Sequence, residues 1–161
     1  MASFFSCGNR NGVQTCPMTV DVRRTFTVDR PIEEVVNYLR NFAHAVEWDP
    51  GTQTCTQLGG GPVVRGTRWR NVSKLFGIST ELTYELVLDQ PDRIVFEGSN
   101  KTADSTDDLA FESTGESTTI TYQAHIEFKK WAFLIDPIAQ RAFERVGDKT
   151  VDQITDRIRS L

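Results

Sequence analysis

Hydrophobic positions along this chain recur with two periods, and the change from one to the other marks its elements. Residues 19–28 alternate: Val20, Val22, Phe26 and Val28 fall on one side, Asp21, Arg23, Thr25 and Thr27 on the other. A period of two is the mark of a half-buried strand. Arg24 falls on the apolar side, either because a bulge re-aims it or because its head reaches a cavity. Asp29, Arg30 and Pro31 then open a helix with Ile32, Val35, Val36 and Leu39 as its buried face, and Glu33 and Glu34 suit its positive N-terminus. A short second helix runs through Phe42 and Val46 until Trp48, Asp49, Pro50 and Gly51 stop it.

From Thr52 the period is two again. Strands are expected over 53–58, 66–75, 78–88, 93–97, 107–112 and 117–128, with turns between. Short connections make sequential strands antiparallel neighbours. Leu82, Tyr84, Leu86 and Leu88 share one face, as do Leu109 with Phe111, and Ile120, Tyr122, Ala124, Ile126 and Phe128. Glu81, Thr83, Glu85, Thr121, Gln123, His125 and Glu127 lie opposite, so one face is wet and the other covered. The cover comes last. After the apolar run 131–135, Asp136 and Pro137 fit the cap and first position of a helix. Apolar residues then recur at Ile138, Ala142, Phe143, Val146, Val151, Ile154, Ile158 and Leu161. A helix of about 24 residues spans roughly 36 Å.

Residues 1–17 have no period. They are expected to be a flexible extension or the product of an early start codon, with a single domain over 18–161. The Phe4 and Phe5 pair falls far short of a signal-peptide core.

This order resembles the helix-grip fold of the START and SRPBCC superfamily, in particular its polyketide cyclase/dehydrase and lipid-transport-like members. Five stretches carry the resemblance. They are the strand-to-helix entry 28–35, the turn Trp48, Asp49, Pro50, the strand opening Gly66, Thr67, Arg68, Trp69, the hairpin from Asp108 to Tyr122, and the helix entry Leu134, Ile135, Asp136, Pro137. The resemblance covers about residues 19–161. It implies an α+β fold in which a curved antiparallel sheet of about seven strands wraps a long C-terminal helix, with two short helices after the first strand. It also implies an elongated cavity for a lipid, sterol, polyketide, plant hormone or quinone. Glu116, Ser117, Lys129 and Lys130 depart from the family's more glycine-rich turns.

Composition narrows the partners. The formal net charge is -4 and the sequence pI about 5.2, which argues against a nucleic-acid binder. No apolar run approaches the roughly 18 residues of a membrane span. Cys7, Cys16 and Cys55 form neither a disulfide framework nor a zinc motif, which suits a reducing, cytoplasmic setting. The expected protein is a monomer or weak homodimer without cofactor, metal or integral membrane association.

No catalytic constellation stands out. His125 falls on the wet face, and His44 is expected in solvent. Asp104, Asp107 and Asp108 lack the glycine and terminal glutamate of a calcium loop and are expected in a solvated loop leading into a strand. Glycines 59–61 form a turn, not a phosphate cradle. The cavity candidates are Trp48, Trp69, Phe76, Tyr84, Phe96, Phe111, Tyr122 and Gly147. Trp48 is also structural at the corner between helix and strand. Tyr84 and Tyr122 share the covered face and need hydrogen-bond partners there. Gly147 carries a helix penalty of about 1 kcal/mol, which fits a place left open beneath the helix.

Three functions follow from different arrangements of that core. A purely apolar cavity is a carrier for a hydrophobic or amphipathic molecule, the leading reading. A cavity with two or more polar side chains is a cyclase/aromatase- or dehydratase-like enzyme, with Arg24, Arg70, Tyr84 or Tyr122 polarising carbonyls. A filled core is a protein-interaction or regulatory module.

Overall fold

The computed structural model describes residues 18–75, 77–129 and 137–161. The expected N-terminal extension, Phe76, and the apolar run with its Asp136 cap lie outside the described residues.

Seven strands form one antiparallel sheet: β1 (Met18–Val28), β2 (Thr52–Leu58), β3 (Arg68–Leu75), β4 (Ile78–Gln90), β5 (Arg93–Ser99), β6 (Ala103–Ser113) and β7 (Thr118–Phe128). Their spatial order is β1-β7-β6-β5-β4-β3-β2. β2 to β7 form a meander, and β1 closes on β7. Three helices complete the chain: α1 (Ile32–Arg40), α2 (Ala45–Trp48) after a 3-10 turn at Phe42–His44, and α3 (Pro137–Arg159). Asn41 starts the 3-10 turn by accepting the Ala43 N–H at 3.2 Å. The 23-residue α3 packs on β1 and α2 and buries Phe143, Ile154 and Ile158. Leu161, expected in its apolar stripe, is exposed.

The covered face keeps the expected parity in most strands, and two positions depart from it. β4 is irregular between Leu86 and Leu88, where Leu86 pairs with Phe96 but Leu88 pairs with Val95. The extra residue turns Leu88 away from the face it shares by count with Leu86, and brings Asp89 inward beside Ile94. There Arg40 of α1 meets Asp89 at 2.8 Å. Arg24 needs neither a bulge nor a cavity. β1 pairs with β7 without a break from Met18 to Val28. The guanidinium reaches α3 instead, donating to Asp148 Oδ1 at 2.7 Å and to the Glu144 carbonyl at 3.2 Å.

Gly147 does not open a space. A Cβ at this position would overlap Val22 Cγ1 of β1. The glycine permits the close approach of α3 to the sheet. Gly147→Ala gains about 1 kcal/mol of helix propensity but overpacks the contact, which typically costs about 1–3 kcal/mol. Chemical denaturation is expected to record a net loss of up to about 2 kcal/mol, relieved when Val22→Ala is added. A stabilised single variant would place the helix farther from β1 than the structure does.

Candidate functional site

The inner face of the sheet is mostly apolar, and Asp107 interrupts it. Counting back from Phe111 and Leu109, Asp107, Ser105 and Ala103 keep the same parity, and all five are buried. The strand therefore begins at Ala103, four residues before its expected start. The run of Asp104, Asp107 and Asp108 is divided by the pleat rather than exposed in a loop. Asp104 faces outward to Lys129 at 2.7 Å, and Asp108 faces outward to Arg93 at 2.6 Å. Asp107 points inward.

Asp107 lies in a cross-strand row with apolar neighbours: Ala124 and Val22 on one side, Phe96 and Leu86 on the other. Two tyrosine hydroxyls compensate. Tyr122 donates to Asp107 Oδ1 at 2.7 Å. The Tyr84 hydroxyl stands beside the same carboxyl and beside Ser105. Tyr84 reaches β6 across β5 because Gly98 stands between them. A Cβ on Gly98 would sit 2.6 Å from the Tyr84 ring, closer than any packed carbon contact. Burial pushes the Asp107 carboxyl from its ordinary 3.8 up to about 6, against the pull of the tyrosine bonds. The Asp49 carboxylate adds to the rise. Both tyrosine hydroxyls are raised, first by burial and then by the Asp107 charge.

Asp49 holds the turn after Trp48. It accepts the Gly51 N–H at 3.0 Å and the Thr52 hydroxyl at 2.6 Å. Burial raises its carboxyl, while these bonds lower it. Thr52 accepts in turn from Asn71, whose carbonyl takes the Ser73 hydroxyl. Burial pushes the neighbouring Cys55 thiol up to about 11, which removes it as a nucleophile near neutral pH.

The cluster lies at a seam. A large hydrophobic core extends over β3 to β7, and a small one joins Val20, Val22 and Phe143; Ala124, the cross-strand partner of Asp107, packs against both. Asp107, Ser105, Tyr84 and Tyr122 keep 6–9% of their surface, while Phe96, Leu109 and Trp69 keep 0%. This part of the inner face is the less tightly covered one. Two surface grooves of about 370 and 480 Å³ lie elsewhere, beside Glu47 and Arg157 and beside Arg93 and Thr121. Neither includes a member of the cluster.

The expected cavity residues form two groups that Tyr84 joins. Tyr84 and Tyr122 come together at Asp107. Trp48, Trp69 and Phe96 close around Phe42, with ring centroids 5.8, 6.1 and 4.5 Å from it, and the Tyr84 ring also meets Phe42 at 4.5 Å. Phe111 is buried in the same core. Of the arginines expected to polarise a carbonyl, Arg70 faces outward to Glu81 at 2.6 Å, and Arg24 is held by α3. His44 stacks on Tyr38 at 4.6 Å and donates from Nδ1 to the Tyr38 carbonyl, so it is half-buried rather than solvated. His125 sits on the outer face against Asp21. Among the described residues no three acidic, histidine or cysteine side chains converge as metal ligands, and no helix is long and apolar enough to cross a membrane.

Residues 19–159 match the family described as polyketide cyclase / dehydrase and lipid transport. The chain belongs to this family. Its fold is the helix-grip fold of the START/SRPBCC superfamily, which solved relatives share. A START superfamily protein from Mycobacterium smegmatis superposes with a TM-score of 0.72 at 14% identity, over 87% of this chain and 97% of its own. The Zhui aromatase/cyclase from Streptomyces sp. R1128 gives 0.70 at 15% identity, over 88% and 94%. The major latex-like protein 151 of Panax ginseng gives 0.63 at 15% identity, over 86% and 97%. No curated protein matches the sequence. These solved structures share the fold of this chain with very different sequences.

Proposed function

We propose that the protein binds a hydrophobic or amphipathic small molecule, such as a lipid or polyketide, between the sheet and α3, with its polar end on the Asp107 cluster. The observation that carries this reading is a buried carboxyl with two tyrosine hydroxyls at the seam of two hydrophobic clusters. Small-molecule sites are mostly apolar with a few placed polar groups. The rings around Phe42 are packed against one another, so the ligand is proposed to lie on the Tyr122 side of the Asp107 cluster. A panel of fatty acids, sterols, quinones and flavonoids tests the reading by thermal melting. A ligand at a hundredfold excess over its Kd is expected to add about 2.7 kcal/mol of stability, or roughly 5–10 °C for a domain of this size. No shift across the panel would remove the reading.

A second reading, a cyclase- or dehydratase-like enzyme, draws on the same carboxyl, and polar side chains on the covered face are the feature that favours it over a carrier with a purely apolar cavity. A group that exchanges its proton near neutral pH, in an apolar setting and beside two phenols, suits general acid–base work. Turnover of a bound poly-β-ketone mimic by the parent protein, lost in Asp107→Asn with binding retained, would select the enzyme over the carrier.

A further inference from the structure

We propose that one end of the sheet docks on an anionic lipid surface, with Ile78 entering the interface and Lys74 and Lys101 meeting the headgroups. The docking is peripheral, needs no ligand and stands apart from the small-molecule reading. Every strand pair is antiparallel, so the β3–β4 turn, the β5–β6 turn and the end of β7 lie at the same end of the sheet. Hydrogen bonds tie them together. The Asn100 side-chain amide donates to Thr80 Oγ1 at 3.0 Å and to the Glu81 carbonyl at 2.8 Å. The Lys129 N–H donates to the Thr102 carbonyl at 2.8 Å. These segments form one rim. Ile78 opens β4 on it and is 66% exposed, the highest value among the exposed large hydrophobic side chains. Such a side chain gains free energy by leaving water, and the chain itself gives it little cover.

Charge selects the partner. The formal net charge of the chain is -4, so an anionic surface repels the molecule as a whole. The rim is where that repulsion reverses. Three of the chain's five lysines, Lys74, Lys101 and Lys129, stand on it. Lys129 is paired with Asp104 at 2.7 Å. Lys74 and Lys101 are exposed and form no ion pair among the described residues. The nearby Glu81 is taken up by Arg70 at 2.6 Å. Loops at the other end of the sheet, 29–31, 59–67, 91–92 and 114–117, carry three acidic residues and two arginines. The lysine end is therefore the one complementary to acidic headgroups. A lysine stem can lie along apolar surface while its ammonium stays in water. An exposed isoleucine beside two unpaired cations combines apolar burial with electrostatic attraction, the two terms on which interfacial binding depends.

Co-sedimentation of the full chain with lipid vesicles tests the docking without any ligand. At low salt the protein is expected to partition onto vesicles of equal parts phosphatidylserine and phosphatidylcholine, and far less onto phosphatidylcholine alone. Physiological salt is expected to weaken the binding by screening. Lys74→Gln combined with Lys101→Gln is expected to lower partitioning about 25-fold, at about fivefold for each lysine near the surface. Ile78→Ser is expected to lower it about tenfold. All three side chains are exposed, so the melting temperatures are expected to stay at the parent value. No binding to the mixed vesicles, equal binding to both kinds of vesicle, or partitioning unchanged by the lysine pair would overturn the proposal. Partitioning unmoved by Ile78→Ser would overturn it as well, because charge would then adsorb without insertion of the rim. Each of these outcomes leaves the small-molecule reading untouched.

Discussion

Replacing Trp48 by alanine is expected to lower stability by about 3–5 kcal/mol, the range for deleting a large buried aromatic. Trp48 ends α2, is 2% exposed, and meets the Phe42 ring edge-on at 5.8 Å. Phe42 also touches Trp69, Tyr84 and Phe96, so the void left by Trp48 would open into the hub of the core. A loss of this size is a large share of the about 5–15 kcal/mol that holds a typical domain folded. The indole N–H has no hydrogen-bond partner among the described residues. It adds nothing to the stability that the ring supplies, and Trp48→Phe is therefore expected to retain most of it. A double-mutant cycle with Phe42→Ala should find the pair coupled by about 0.5–1.5 kcal/mol. Urea denaturation measures all three. A near-neutral Trp48→Ala would move the side chain to the surface and contradict the packing described.

Asp107→Asn is expected to do the opposite: it should stabilise the protein, and only above a certain pH. The carboxyl rises from 3.8 to about 6 on folding. Between those values the native state holds a proton that the unfolded chain has released. Stability therefore falls as pH climbs through this window, and the penalty is complete above about pH 6. It corresponds to about 3 kcal/mol. Below about pH 4 both states are protonated and the penalty vanishes. The groups facing Asp107 are Tyr84 of β4, Tyr122 of β7, Ser105 on its own strand, and Asp49 after α2. Asparagine keeps an acceptor for the tyrosine hydroxyls and never ionises. The variant is expected to gain about 1–3 kcal/mol near pH 7 and little near pH 4. Asp104 and Glu81 have lowered carboxyls and slope the other way, but they are common to both proteins and cancel in the difference. A difference that stays flat with pH would mean that Asp107 is not titrating in an apolar setting.

Local periodicity sets the elements, their order and most of their faces. Periods of two and 3.6 are local properties of the backbone, and apolar residues keep to them because one side of each element must leave water. That logic placed Leu82, Tyr84, Leu109, Ile120 and Tyr122 on the covered face, where the structure has them. The same parity reached Asp107, since it lies two residues from Leu109. Chemical type overrode position there, because carboxylates are rarely buried without partners. The partners come from β4 and β7, and only the assembled sheet supplies them.

Features that depend on two distant segments at once follow from packing alone. Gly98 reads as a weak spot in a strand until the Tyr84 ring lies across it. Gly147 suggests room until Val22 is seen against it. Arg24 looks like an error in an apolar row until α3 brings Asp148 to it. Leu88 keeps its parity on paper, and the irregular pairing of β4 with β5 reverses it. In each case a residue's own type states what it can tolerate, and the neighbour that uses this tolerance is fixed by packing across the fold.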